Sequence, residues 1–157
     1  MTNEKKQEYT LKISQANRSQ RVVLIYDIAR DYIKEAREAL AEEKYPEFRD
    51  AVNYVQKCVN ELICGLDFEY DLSLSLLQLY AYCNRELIRC LIKRSDECLL
   101  HVENTLRPLQ ESFIEVAKQD TSEPMIKNAQ TVTAGMTYGR GVLNENLQGA
   151  SSRGYMA

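Results

Sequence analysis

The residues best suited to chemistry in this 157-residue chain are five cysteines and one histidine, His101. The cysteines are Cys58, Cys64, Cys83, Cys90 and Cys98. Their number is odd, and no pair has the CxxC spacing of a zinc or redox site. Because each lies in a helical pattern among apolar neighbours, we expect small, reduced core residues in a reducing cytosol.

The surroundings of His101 do not indicate a metal site. Di-iron carboxylate sites in helical bundles need Glu-x-x-His pairs on facing helices, and the residue three before His101 is Cys98. The helical region has no Gly-rich phosphate loop, and no serine or cysteine has a histidine that could activate it. We therefore expect no catalytic residue, no metal and no cofactor, and a protein that is not an enzyme.

Composition excludes further classes of function. The net charge of −3 and the pI near 5.3 argue against nucleic acid as a partner, since nucleic-acid binding needs clustered lysine and arginine. No apolar stretch reaches the roughly 18 residues of a membrane span. The polar first residues, MTNEKKQEYT, do not resemble a secretory signal. We expect a cytoplasmic protein without a membrane span.

Helical periodicity organises most of the chain. Apolar residues recur every three or four positions in four patterns, over residues 18–43, 46–66, 71–93 and 95–119. Asn17 or Ser19 can cap the first helix, Pro46 suits the first turn of the second, and Ser95 can cap the fourth. Short connections make successive helices antiparallel, which predicts an all-α, up-down-up-down four-helix bundle.

Three regions follow from these patterns. We predict an extended N-terminal cap segment over 1–17, the bundle over 18–120, and a flexible tail over 121–157 that contains five of the six glycines. The tail is mildly basic, and either disorder or a second partner site is compatible with its sequence.

The third pattern, residues 71–93, has more apolar surface than one buried side requires. One side carries the apolar residues Leu72, Leu76, Leu79, Tyr80, Cys83, Leu87, Cys90 and Leu91. A second flank carries Leu74, Leu77, Ala81, Ile88 and Ile92. A centrally packed helix or a homodimer seam explains this excess, and so does a groove that receives a partner's amphipathic helix. The residues alone do not decide between these, nor which flank faces the core.

Several stretches, in their order and spacing, resemble the FliS family of flagellar secretion chaperones. The matching residues are Tyr9, Ala16-Asn17, Ile25-Tyr26-Asp27, Leu66-Asp67, Leu79-Tyr80-Ala81-Tyr82 and Asn84-Arg85-Glu86-Leu87. The likeness covers about residues 9–119. One departure is the sequence FEYD after Leu66-Asp67, where many members have a Gly-Gly turn.

The resemblance implies an export chaperone. Members of the family bind the disordered C-terminal segment of flagellin in the cytoplasm and prevent premature polymerisation. They help to deliver flagellin to the type III export apparatus. The resemblance implies two partners. The first is the flagellin segment, and the second is the export gate, which the chaperone–cargo complex contacts. The oligomeric state stays open, and a bundle adaptor or homodimer that binds another flagellar regulator is the alternative.

The resemblance also assigns residues. The predicted flagellin-binding groove comprises Leu74, Leu77, Tyr80, Ala81, Ile88, Ile92, Ile25 and Tyr26. The predicted N-terminal cap comprises Tyr9, Leu11 and Ile13, whose alternation with polar residues is typical of an extended strap with one apolar edge.

Overall fold

All regular secondary structure in the described part of the chain is helical. A computed structural model describes residues 1–127. Its helices are α1 (Asn3–Gln15), α2 (Arg18–Ala41), α3 (Tyr45–Cys64), α4 (Leu72–Lys93) and α5 (Asp96–Gln119). Helices α2 to α5 form a closed ring in which α2 and α4 each pack against both α3 and α5, while α1 packs against α2. The predicted four-helix bundle is confirmed, and its four helices begin and end within a few residues of the predicted positions.

The helices begin where the sequence supplies caps. The Asn17 side chain accepts a hydrogen bond from the Gln20 backbone N–H, and the Gln20 side chain accepts one from the Asn17 N–H, which completes a capping box. Ser95 caps α5 by accepting from the Glu97 N–H, and Pro46 lies in the first turn of α3. The side chains of Asn17, Gln20 and Ser95 satisfy backbone donors that have no partner inside the helix, and Pro46 has no such donor.

A polar contact crosses the middle of the apolar core. The hydroxyls of Tyr26 on α2 and Tyr80 on α4 are 2.5 Å apart, and the two side chains are 0% and 1% exposed. Burial raises the pKa of both phenols, so both stay protonated and one donates to the other. Since α2 and α4 are diagonal in the ring, this bond joins two helices that are not neighbours in it.

The N-terminal segment differs from the prediction. Residues predicted to be extended form the helix α1, in which Thr2 caps the start by accepting from the Lys5 N–H. Glu8 and Lys12, four residues apart, form an ion pair along its surface. The alternation of Tyr9, Leu11 and Ile13 suggested a strap, but the surrounding Glu, Lys and Gln residues are good helix formers and decide the local structure. Most of the predicted tail lies outside the described residues.

We predict that the losses of unfolding free energy on removing the Tyr26 and Tyr80 hydroxyls one at a time are not additive. Tyr26→Phe leaves the Tyr80 hydroxyl buried without a partner and should cost about 1–3 kcal/mol of unfolding free energy. Tyr26→Phe/Tyr80→Phe removes both polar groups and should cost clearly less than the sum of the two single changes. Urea unfolding of the four proteins measures this. Additive losses would show that the two hydroxyls are not coupled.

Candidate functional site

Helix α4 turns one of its two apolar flanks into the core. The buried residues on that flank are Leu76, Tyr80, Cys83, Leu87 and Cys90. Leu72 and Leu79, which the sequence pattern placed with them, lie at the edge of this face and are exposed. The structure thus decides a point that the sequence left open.

The second flank faces outward. Leu74 is 58% exposed, Ile88 51% and Ile92 76%, while Leu77 and Ala81 are half-buried. At 100° per residue these five side chains fall within an arc of about 60°, so they lie in one row along the helix. We call this row the α4 stripe. Exposed aliphatic residues aligned over about five helical turns are unusual on the surface of a monomeric protein.

The α4 stripe runs beside α3. Asn84 lies in the same row as Leu77, Ala81 and Ile88, and its Nδ2 donates to Asn60 Oδ1 on α3 over 2.9 Å. The Oδ1 of Asn84 is buried and has no hydrogen-bond partner among the described residues. The boundary between α3 and α4 therefore combines an apolar row with one buried acceptor that has no partner among the described residues. The sequence pattern did not reveal Asn84 as a polar member of this row.

Three residues of the predicted groove lie beneath its surface. Tyr26 and Tyr80, which were predicted to line the groove, are fully buried and bonded to each other, so their side chains do not reach the surface. Ile25 is partly buried and packs against the core. Among the predicted groove residues, the large side chains exposed at the surface are those of Leu74, Ile88 and Ile92.

The cysteines are free and mostly buried, as predicted, except that Cys64 at the end of α3 is exposed. Burial raises the pKa of the Cys58, Cys83 and Cys90 thiols to about 12. A thiol with such a pKa is a poor nucleophile at neutral pH.

The single histidine pairs with an acid that the sequence pattern did not predict. His101 Nδ1 lies 2.8 Å from the carboxylate of Glu86, a buried residue of α4 that also binds Arg89. Hydrogen bonds from His101 and Arg89 hold the pKa of Glu86 below its usual value. Within residues 1–127 no group of three His, Cys, Asp or Glu side chains could hold a metal ion. No helix in that part of the chain could cross a membrane.

Helix α1 is attached to α2 largely by polar contacts and buries none of its own residues. The Tyr9 hydroxyl donates to Asp31 Oδ2 over 2.5 Å, and Lys5 Nζ lies 2.7 Å from the same oxygen. The Met1 ammonium group pairs with Glu35. Of the predicted cap residues, Tyr9 and Ile13 are half-buried and Leu11 is exposed. In this position α1 leaves the α4 stripe uncovered.

The family model of flagellar protein FliS matches residues 1–120. The chain belongs to the FliS family. This is a family of flagellar export chaperones and not of enzymes. No curated protein matches the chain.

The geometry gives a physical role to the Ile25-Tyr26-Asp27 stretch that carries much of the likeness to FliS. Tyr26 bonds to α4, and the next residue, Asp27, accepts a hydrogen bond from Gln110 Nε2 on α5 over 2.6 Å. Gln110 is buried, and its Oε1 accepts from Arg30 Nη1 over 3.0 Å. Two adjacent residues of α2, Tyr26 and Asp27, thus form hydrogen bonds to two different helices, α4 and α5.

We predict that α1 can be loosened without weakening the bundle. Partial burial opposes ionisation of Asp31, but hydrogen bonds from Lys5 and Tyr9 outweigh it and hold the Asp31 pKa below 3.8. The carboxylate therefore stabilises α1 docking at neutral pH, and that contribution is lost as the pH falls through the lowered pKa. Asp31→Asn should cost about 1 kcal/mol of docking free energy and speed amide exchange in α1 about fivefold at pH 7.

Glu8→Gln is the matched control, because it removes the Glu8–Lys12 pair within α1 and leaves the contact with α2 intact. The urea midpoint of the bundle should be unchanged in both variants. A fall in the midpoint that parallels the faster α1 exchange in Asp31→Asn would contradict separate docking.

Proposed function

We propose that this FliS-family chaperone binds the disordered C-terminal segment of flagellin along the α4 stripe in the bacterial cytosol. The observation that carries the proposal is the outward row of Leu74, Leu77, Ala81, Ile88 and Ile92 beside α3. A segment that folds as an amphipathic helix can lay its apolar side into such a groove, with anchors at i, i+3, i+4 and i+7. Covering that side prevents premature polymerisation and keeps the cargo ready for the type III export apparatus.

The binding energetics suit a chaperone that binds an unfolded segment reversibly. Each Å² of apolar surface removed from water contributes about 25 cal/mol, and ordering a disordered segment consumes part of that gain. The bound state forms without any covalent step, so the cargo can be released intact at the export gate.

Helix α1 serves, in this proposal, as a movable cap for a second stretch of the cargo. It buries none of its own residues and is held on α2 by Tyr9, Lys5 and the chain terminus. A flagellin segment longer than the α4 stripe can continue around the bundle and displace α1 from α2. The loosened Asp31→Asn variant should then bind the cargo at least as tightly as the wild type.

The decisive experiment is a titration with a peptide of about the last 40 residues of flagellin from the same organism, followed by calorimetry and circular dichroism. We expect one-to-one binding, a negative heat-capacity change and a gain of helicity. Ile88→Asp should weaken binding at least about tenfold, because it buries an unpaired charge in the groove.

Leu100→Asp on α5 is the control, since Leu100 is an exposed aliphatic residue outside the α4 stripe, 44% exposed against 51% for Ile88. Its affinity should stay within about twofold of wild type. Equal losses in the two variants, or no binding by a folded bundle, would contradict the assignment. Sedimentation of the free protein tests the homodimer alternative, in which the α4 stripe is already covered.

A further inference from the structure

The connection between α3 and α4 carries a second set of exposed apolar side chains. Residues 66–72 have the sequence LDFEYDL, in which apolar and acidic residues alternate. Phe68 is 58% exposed, Tyr70 67% and Leu72 66%. The segment includes FEYD, the stretch in which the chain departs from the FliS pattern. Large apolar side chains that are grouped at the surface call for an explanation, whereas single ones do not.

Hydrogen bonds fix the backbone of this connection. The Glu69 N–H donates to Asp67 Oδ1 over 3.0 Å, and the Tyr70 N–H donates to the Asp67 carbonyl over 3.2 Å. The buried Ser73 donates its hydroxyl to the Asp67 carbonyl and its N–H to the Tyr70 carbonyl. The two aromatic rings are therefore presented on an ordered turn. A surface that is already ordered loses less conformational entropy when a partner binds.

The acidic residues of the connection are available to a partner. Within residues 1–127, the carboxylates of Asp67, Glu69 and Asp71 form no ion pair with a lysine or arginine. Glu69 and Asp71 are exposed, and Asp67 is half-buried. Carboxylates at these positions repel the phosphates of nucleic acids and of anionic lipids, and they attract a partner with lysine or arginine side chains.

The apolar surface continues from the connection onto α4. Leu79, which is 39% exposed, follows Leu72 by seven residues, and Glu86 follows Leu79 by seven. Residues at this spacing lie on one side of a helix, and Glu86 contacts His101 of α5. Leu72 and Leu79 thus lie on the side of α4 that faces α5, at least about 140° around the helix from every residue of the α4 stripe. We call Phe68, Tyr70, Leu72 and Leu79 the loop patch.

We propose that the loop patch binds an amphipathic segment of a partner protein, in which lysine or arginine residues flank an apolar side. Phe68 and Tyr70 serve as rigid aromatic anchors, the kind of residue that carries much of the binding energy at protein interfaces. The neighbouring carboxylates draw the basic segment in and set its orientation. Because the loop patch and the α4 stripe lie on different sides of α4, both can be occupied at once. The inference does not rest on flagellin binding.

A model peptide of this chemistry tests the proposal. The probe is a fluorescein-labelled helical peptide of about 14 residues with leucine on one side and lysine on the other, titrated with the full chain by fluorescence anisotropy. Phe68→Ala/Tyr70→Ala should weaken binding at least about tenfold, because it removes both anchors. Glu69→Gln/Asp71→Asn should weaken it about fivefold at low salt and reduce its salt dependence. Melting followed by circular dichroism checks that each variant folds.

Two controls separate the loop patch from general attraction. Ile88→Ala, in the α4 stripe, should leave the affinity for the probe within about twofold of wild type. A second peptide, in which serine replaces every leucine, should bind at least about tenfold more weakly than the probe. The proposal is overturned if the serine peptide binds as tightly as the probe. It is also overturned if Ile88→Ala weakens binding as much as Phe68→Ala/Tyr70→Ala does.

Two further measurements distinguish other occupants of the loop patch. Sedimentation of the wild type and of Phe68→Ala/Tyr70→Ala should give the same mass. A wild-type dimer that this variant dissociates would show that a second copy of the chain covers the patch, against the proposal. The variant should also bind the flagellin peptide within about twofold of wild type. A parallel loss of flagellin binding would place the loop patch in the cargo site and overturn a separate partner surface.

Discussion

The outward orientation of the α4 stripe depends on the hydrogen bond between Tyr26 and Tyr80. Apolar packing alone is non-directional, and α4 carries two apolar flanks that could each fill a core. A buried hydroxyl pair is directional, since either phenol loses about 1–3 kcal/mol when its partner is absent. Rotating α4 enough to bury the α4 stripe separates the two oxygens, which lie 2.5 Å apart across the diagonal of the ring. The bond therefore selects the rotation in which the stripe faces outward.

Neighbouring contacts reinforce this rotation. On one side of α4, Asn84 donates to Asn60 of α3; on the other, Glu86 pairs with His101 of α5. Asp27, next to Tyr26, accepts from the buried Gln110 and so ties α5 to α2. Each helix of the ring thus has a polar contact that fixes its orientation, while apolar burial supplies most of the stability. The result is a rigid scaffold that keeps an aliphatic row exposed, which a purely apolar four-helix core would tend to bury.

The sequence predicted the bundle well because its signals are local: caps, a first-turn proline and apolar repeats of three and four residues. The same periodicity revealed the second flank of α4 but not its direction, because direction depends on the Tyr26–Tyr80 bond between residues 54 positions apart. The extended cap was wrong, since three alternating apolar residues were weighed above the helix-forming residues around them. The apolar periodicity did not reveal Asn84, because a polar residue inside an apolar row has no periodic signal of its own.

Methyl NMR of the full chain during titration with the flagellin C-terminal segment tests the central claim most directly. If the Tyr26–Tyr80 bond fixes α4 with its stripe outward, the methyl signals of Leu74, Leu77, Ile88 and Ile92 should shift most. Those of Leu76 and Leu87, on the opposite flank of the same helix, should move little. Shifts of similar size on both flanks would mean that α4 rotates or unfolds to bind. Shifts confined to other helices would contradict the assignment of the α4 stripe.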